Sequence, residues 1–292
     1  MKKKILMIFA ILAIVLVVSV AGLYFFKKDW LYAIYDSMIY AKESMQIQLS
    51  GEYKKENYDA SKVYYKKEKN IRIPILIYHK IVETNPARNL AYLEITPQNF
   101  EKQIKGLLDY GYQVISYEDL IAYYNGQKAL PERVVLITFD DGYESVYQYA
   151  FPIAEKYQIP MTTFVVDDIM QTQDYLTWEE AKQMYDSGWF YIYSHGKTHI
   201  YYDQETPEEL VGQITEAMNH IEQELGKTQE KVFTYPYGAY TDEHRKTMWE
   251  AGFIQNLTND KINDADTLDL SGLSRIYILN HDSIYSVLKK IK

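Results

Sequence analysis

The stretch VLITFDDGY, residues 135–143, joins a run typical of a buried β-strand to two adjacent carboxylates, Asp140 and Asp141. β-branched and apolar residues dominate the run, which favours a strand covered on both faces. A carboxylate resists transfer out of water unless a cation or hydrogen bonds compensate its charge. We therefore expect another group at the end of this strand to offset the two negative charges.

Strand-like and helix-like segments alternate on both sides of this stretch, over residues 71–292. The strand-like segments read RIPILIYH, YQVIS, RVVLITF, MTTFVV, WFYIYS, KVFTYP, FIQNLT and RIYIL. Helices predicted between them begin with the N-cap residues Thr96, Thr177 and Thr206, and one is interrupted near Pro152. This alternation predicts an α/β protein with a parallel sheet.

We expect the sheet to close into a barrel of seven or eight strands, with an open doubly wound sheet as the alternative. Ligands bind at the carboxyl ends of the strands in both architectures. Asp140 and Asp141 follow a predicted strand directly, so they lie where a ligand is expected.

The amino-terminal residues 1–26 predict a cytoplasmic tip and a transmembrane signal-anchor. Lys2, Lys3 and Lys4 precede an uncharged stretch, residues 5–26. As a helix this stretch would rise about 33 Å, enough to cross a hydrocarbon core of about 30 Å. The excess of positive charge before it keeps the amino terminus inside, so the rest of the chain is expected outside the cell. A signal peptide cleaved near Ala21 is the alternative, and the protein would then be secreted.

Residues 27–70 are rich in Lys, Tyr and Glu and predict a helical spacer between the membrane and the domain of residues 71–292.

The net charge of −9 argues against the basic surface of a nucleic-acid-binding protein. Because the chain has no cysteine, disulfides, thiolate metal sites and cysteine nucleophiles are excluded. Any metal must therefore bind to His, Asp or Glu. The 30 tyrosines suit stacking on sugar rings or a core with polar edges.

Four of the six histidines lie at or just beyond predicted strand ends. They are His79, His195, His199 and His281. His220 and His244 fall within predicted helices, and we interpret them as incidental to the site.

Two imidazoles and one carboxylate can hold a divalent cation with positions left open for water and substrate. One aspartate would bind that cation, and the other would act as general base towards the activated water. Alone, a DDG sequence is most often a solvated turn, and a His-x-x-x-His pair is most often a surface feature. Their joint placement favours a metal site. A glycosidase with paired carboxylates fits poorly, because its acids lie about 5–9.5 Å apart and need no histidine pair.

The motifs TFDDGY, SHGKTH and YPYG occur in this order and resemble the signature of the polysaccharide deacetylases, the NodB-homology family. The resemblance covers residues 71–292 and implies a distorted (β/α) barrel. It further implies that Asp140 is the catalytic base, and that Asp141, His195 and His199 hold zinc or a similar ion such as Co²⁺, Mn²⁺ or Ni²⁺. The backbone N–H of Tyr237 would stabilise the oxyanion.

The opening strand, IPILIYHKI, further resembles the branch that deacetylates poly-N-acetylglucosamine. In that branch a histidine after the first strand is the general acid, which implies His79. His281 is the alternative, because the commoner arrangement in the family places the acid on the last strand. The implied reaction is hydrolytic removal of acetyl groups from a cell-surface glycan that contains N-acetylglucosamine, whether peptidoglycan, an exopolysaccharide or a chitin-like polymer.

Two positions depart from the family pattern. Gly196 stands where Ser or Thr usually follows the first metal histidine, and Thr234 replaces an arginine that steadies the catalytic aspartate. Thr198 could supply the hydrogen bond lost at Gly196, and Arg275, at the start of the last predicted strand, could replace the missing arginine. These departures leave a second hypothesis open: an impaired relative that binds envelope glycan or partner proteins.

Overall fold

Parallel strands close into a barrel in the computed structural model, which describes residues 71–292. In chain order the strands are β1 (Arg72–Ile73), β2 (Ile75–Tyr78), β3 (Lys80–Ile81), β4 (Glu94–Ile95), β5 (Gln113–Val114), β6 (Val134–Phe139), β7 (Met161–Val165), β8 (Phe190–Ser194), β9 (Val232–Thr234), β10 (Ile254–Thr258), β11 (Asn263–Asp264) and β12 (Leu273–Tyr277). The α-helices are α1 (Pro97–Asp109), α2 (Tyr117–Tyr124), α3 (Phe151–Tyr157), α4 (Trp178–Asp186), α5 (Pro207–Leu225), α6 (Asp242–Glu250) and α7 (Ile284–Lys290).

The ring of the barrel runs β2, β12, β10, β9, β8, β7 and β6, and the pairing of β6 with β2 closes it. In the closing pair Ile75 lies opposite Leu136, and Tyr78 lies opposite Phe139. The short strand β5 pairs with the amino-terminal end of β6. The structure thus confirms the predicted barrel of seven or eight strands and excludes the open sheet.

Helix boundaries follow the predicted caps. Thr96, Thr177 and Thr206 each accept a hydrogen bond from a backbone N–H of the first helical turn. The predicted interruption near Pro152 is a π-helical turn, Val146–Ala150, that leads into α3. Proline has no N–H to continue the helical hydrogen bonds, which explains the break.

Alternate residues of β6 face the inside of the barrel. Thr138 and Asp140 both contact Arg275 of β12, and Leu136 packs in one cluster with Phe164 and Leu273. The intervening residues pack in a separate core beneath the helices. The apolar lower part of the barrel therefore supports a polar upper end, where the strands terminate.

The predicted membrane anchor (residues 1–26) and spacer (residues 27–70) lie outside the described residues. Among residues 71–292, none of the helices combines the length and the hydropathy that a membrane span requires.

Candidate metal centre and active site

Asp141, His195 and His199 converge at the carboxyl ends of β6 and β8. The Nε2 atoms of His195 and His199 lie 3.3 and 3.2 Å from the same carboxylate oxygen of Asp141, Oδ1. One potential ligand atom from each residue lies within 4.8 Å of the other two. Asp141 reaches this position through a backbone φ of 74° in the sharp turn after β6, a conformation that aspartate tolerates better than most residues.

The other ring nitrogens of both histidines are engaged by the protein. Nδ1 of His195 donates a hydrogen bond to the carbonyl oxygen of Thr234 at 2.9 Å, and Nδ1 of His199 lies 3.0 Å from the hydroxyl of Tyr237. Such contacts fix ring orientation and leave Nε2 free to bind a cation. Two imidazoles and a carboxylate therefore fit a divalent metal ion such as the predicted zinc.

Asp140 lies beside this cluster but pairs with Arg275. The guanidinium NH1 and NH2 donate to Oδ1 and Oδ2 of Asp140 at 2.7 and 2.8 Å, and the Arg275 side chain is fully buried. Burial raises the pKa of Asp140, but the charge and hydrogen bonds of Arg275 outweigh this effect and lower it. Asp140 is therefore ionised at neutral pH, as a proton acceptor must be.

Arg275 reaches Asp140 because β12 begins at Leu273, two residues before it. The sequence interpretation that placed Arg275 at the start of its strand was wrong. Arg275 also donates to the hydroxyl of Thr234 at 2.6 Å, so the residue at the usual arginine position is now a partner of the arginine from β12. Arg275 thus supplies the contact to Asp140 that was in question because Thr234 replaces the usual arginine.

His79 and His281 differ sharply in their surroundings. His79 is buried after β2, its ring lies parallel to that of Tyr277 with centroids 6.0 Å apart, and its Nδ1 has no protein hydrogen-bond partner. Burial lowers the pKa of His79, while the charges of Asp140 and Asp141 raise it. His281 is exposed, and among the described residues no hydrogen bond, ion pair or ring contact joins it to either aspartate. The structure thus brings His79, and not His281, into the electrostatic reach of the cluster.

Tyr237 lies in the short 3₁₀ turn Pro236–Gly238 after β9, with a φ of 58°. Positive φ is uncommon for a residue other than glycine, and such backbone strain often occurs at functional sites. Its exposed ring stacks on that of Tyr201, with centroids 4.1 Å apart. The predicted oxyanion residue thus also orients His199 and presents an aromatic surface beside it.

Tyr202 organises the loop between the two metal-ligand candidates. Its hydroxyl accepts hydrogen bonds from the N–H groups of Lys197 and Thr198 at 3.2 and 3.4 Å, and donates to the Thr198 carbonyl at 3.0 Å. A Cβ atom at Gly196 would lie 2.6 Å from this hydroxyl. Gly196 is therefore required by the buried tyrosine, whose hydroxyl binds the backbone of Lys197 and Thr198.

His220 and His244 have structural partners outside the cluster. Nδ1 of His220 lies 2.6 Å from Oδ1 of Asp167, and Nδ1 of His244 lies 2.6 Å from the Thr241 hydroxyl that caps α6. Neither histidine joins the potential metal ligands.

A family model described as polysaccharide deacetylase matches residues 127–255, which contain both aspartates and the histidine pair. YxkH of Bacillus subtilis, assigned by name to the polysaccharide deacetylases, is 30% identical over 219 residues, which are 75% of this chain and 73% of that protein. The chain belongs to the polysaccharide deacetylase family.

Further proteins resemble the chain in sequence or in fold. The poly-β-1,6-N-acetyl-D-glucosamine N-deacetylase of Staphylococcus aureus is 27% identical over 199 residues, 61% of this chain and 68% of its own. The structure of the Streptococcus pyogenes deacetylase PplD in complex with acetate superimposes with a TM-score of 0.69 at 26% identity, covering 77% of this chain and all of that one. IcaB from Ammonifex degensii, at 24% identity and a TM-score of 0.66, shares the fold over 76% of this chain and 98% of its own.

Sequence reasoning missed Tyr202 and Tyr277. Gly196 was a signal for Tyr202, because a glycine where a side chain is usual leaves room for a neighbouring group. Tyr277 had no comparable signal, since its contact with His79 depends on the packing of β12 against β2.

Proposed function

We propose that this protein is a metal-dependent N-deacetylase that hydrolyses the acetamide groups of a glycan containing N-acetylglucosamine, releasing acetate. The observation that carries the proposal is the placement of the two adjacent aspartates. Asp141 faces two imidazoles, whereas Asp140 is held ionised by Arg275 next to them.

Asp141, His195 and His199 would hold the cation, with zinc as the first choice and cobalt, manganese and nickel as alternatives. When bound, such an ion supplies Lewis acidity towards water and the acetamide carbonyl. Asp140 accepts the proton of the attacking water. Each of its oxygens keeps a lone pair for this step, because a carboxylate has about four acceptor sites and Arg275 occupies two.

Protonation of the departing amine is assigned to His79, with His281 as the alternative. Burial lowers the pKa of His79, so the two neighbouring carboxylates are the groups that favour its protonated form. The backbone N–H of Tyr237 would donate a hydrogen bond to the developing oxyanion, in the way that preorganised donors stabilise acyl-transfer transition states.

Poly-β-1,6-N-acetylglucosamine is the first substrate to test, since a relative in Staphylococcus aureus is named for it. Peptidoglycan and chitin-like oligomers are the other candidates. We also propose that residues 5–26 anchor the protein in the cell membrane with the catalytic domain outside. Membrane fractionation, combined with protease treatment of intact cells, tests this location.

The second hypothesis, an impaired module that binds glycan or partners, rested on Gly196 and Thr234. Tyr202 occupies the space beside Gly196, and Arg275 binds both Thr234 and the catalytic aspartate. Both departures thus have a compensating residue, which favours an active enzyme.

The deciding experiment measures acetate release from a panel of the three glycans, with and without chelator, followed by addition of each metal. We expect release that chelation abolishes and zinc or a similar ion restores. If the protein bound a glycan but released no acetate with each of the four metals in turn, the impaired-module hypothesis would replace ours.

A further inference from the structure

A cavity of about 480 Å³ lies beside the carboxyl end of β12, and one of its lining residues, Tyr277, has its ring parallel to that of His79. Its lining residues are Tyr92, Asp260, Ile276, Tyr277, Leu279 and Lys290. This volume falls within the range of about 300–1,000 Å³ typical of small-molecule pockets. None of the roles proposed so far uses this space.

Tyr277 connects the cavity to the site. The Tyr277 ring lies parallel to the ring of His79, with centroids 6.0 Å apart. It meets the ring of Tyr92 edge-on, with centroids 6.3 Å apart. Burial raises the pKa of the Tyr277 hydroxyl, and the charges of Asp140 and Asp260 raise it further. The Tyr277 hydroxyl thus interacts electrostatically with Asp140, the proposed base, and with Asp260, which lines the cavity.

The polar groups of the cavity are unequally satisfied. The Lys290 ammonium donates to Asp282 and to the carbonyl of Tyr277. Asp260 accepts only a backbone hydrogen bond, from Tyr277, and within residues 71–292 no cation pairs with its exposed carboxylate. The cavity therefore offers two aromatic rings and one free acceptor, a combination that suits a sugar ring with an apolar face and polar edge groups.

We propose that this cavity binds the hexosamine unit next to the one being deacetylated, in the same glycan chain. The inference rests on the proposed function and adds a subsite to it. The sugar would pack against Tyr92 and Tyr277, and Asp260 would accept a hydrogen bond from a hydroxyl or an ammonium group of the ring. The enzyme then prefers an oligomer over an isolated acetylated group.

The test compares two substrates in Tyr92→Ala: a β-1,6-linked N-acetylglucosamine pentamer and p-nitrophenyl acetate, a small ester without sugar. We expect kcat/KM for the pentamer to fall about tenfold more than kcat/KM for the ester, mainly through KM, because one aromatic contact is lost. Tyr124→Ala is the matched control, since Tyr124 is 47% exposed against 46% for Tyr92 and lies at the end of α2, away from the cavity.

Asp260→Asn keeps the acceptor for the Tyr277 N–H and removes the charge. Pentamers with free-amine or acetylated neighbouring units separate the two hydrogen-bond sources. A loss of kcat/KM confined to the free-amine pentamers identifies an ammonium group, and a loss with both identifies a hydroxyl.

Equal losses of kcat/KM on pentamer and ester in Tyr92→Ala, or no loss on either, would overturn the subsite.

Calorimetric titration of the pentamer into wild type and Tyr92→Ala keeps the inference testable if no glycan is turned over. In that case the proposed function fails, whereas the subsite survives only if Tyr92→Ala weakens binding about tenfold and Tyr124→Ala does not.

Discussion

Arg275 holds Asp140 through two parallel hydrogen bonds of 2.7 and 2.8 Å inside the barrel, where both side chains are shielded from solvent. Removing one partner of a buried ion pair leaves an uncompensated charge and typically costs about 3–5 kcal/mol. The pair therefore serves stability and the proposed chemistry together.

Arg275→Met should lower the free energy of unfolding by about 3–5 kcal/mol and reduce acetate release strongly, because Asp140 loses its partner. Arg275→Lys should recover only part of both, since lysine lacks the planar fork. Denaturant unfolding and initial rates measure the two effects. Lys105→Met, which breaks an exposed pair with Asp109, is the control and should cost less than about 1 kcal/mol. A similar small cost for Arg275→Met would contradict the role of the pair.

His79→Asn should reduce kcat by about 10²- to 10⁴-fold, the usual contribution of a general acid. His281→Asn should stay close to wild type, because His281 is exposed and has no contact with the aspartates. Steady-state rates on the same glycan distinguish them, with circular dichroism as the check on folding. The reverse outcome would move the general acid to the last strand.

Tyr202→Phe should weaken metal binding about 10- to 100-fold, since Lys197 and Thr198 lose the hydroxyl that positions the loop between His195 and His199. Titration of the metal-free protein with Co²⁺, followed by its visible absorption, gives the affinity without requiring activity. Tyr235→Phe is the matched control: its buried hydroxyl donates to Gln255, so the change should affect stability but leave metal affinity alone. Equal affinities in the two variants would exclude a positioning role for Tyr202.

Glu118→Gln should make the free energy of unfolding depend less on pH. Burial raises the pKa of Glu118, although the Tyr193 hydroxyl donates to it at 2.6 Å. A carboxyl with a raised folded-state pKa binds protons more tightly in the folded state than in the unfolded state. Its stabilising contribution is complete below the unfolded pKa of about 4.3 and is lost as pH rises through the folded pKa.

Glutamine keeps an acceptor for Tyr193 and carries no charge. We therefore expect the variant to gain stability relative to wild type at pH 7.5 and to lose this advantage near pH 4. Unfolding curves at several pH values test this; parallel curves for the two proteins would show that Glu118 is not the titrating group.

The positions of predicted strand ends brought two aspartates and four histidines to one face of the barrel, and the family resemblance then selected Asp141, His195 and His199 among them as metal-ligand candidates. Asp141, His195 and His199 follow strands β6 and β8, and the ends of parallel strands meet on one face of a barrel. Arg275 was recognised by type, but its reach depended on where β12 begins, and strand boundaries are weakly encoded in local sequence. The contact of Tyr202 with its loop depends on the φ of 103° at Gly196, which no periodic pattern reveals.

The partners Asp140 and Arg275 are 135 positions apart in the chain and join strands on opposite sides of β2 in the ring. A nascent or partly folded molecule in which β12 has not yet docked leaves the aspartate hydrated and without its guanidinium. The proposed base therefore acquires its partner only once the ring of strands has closed, so the proposed hydrolysis requires completed folding.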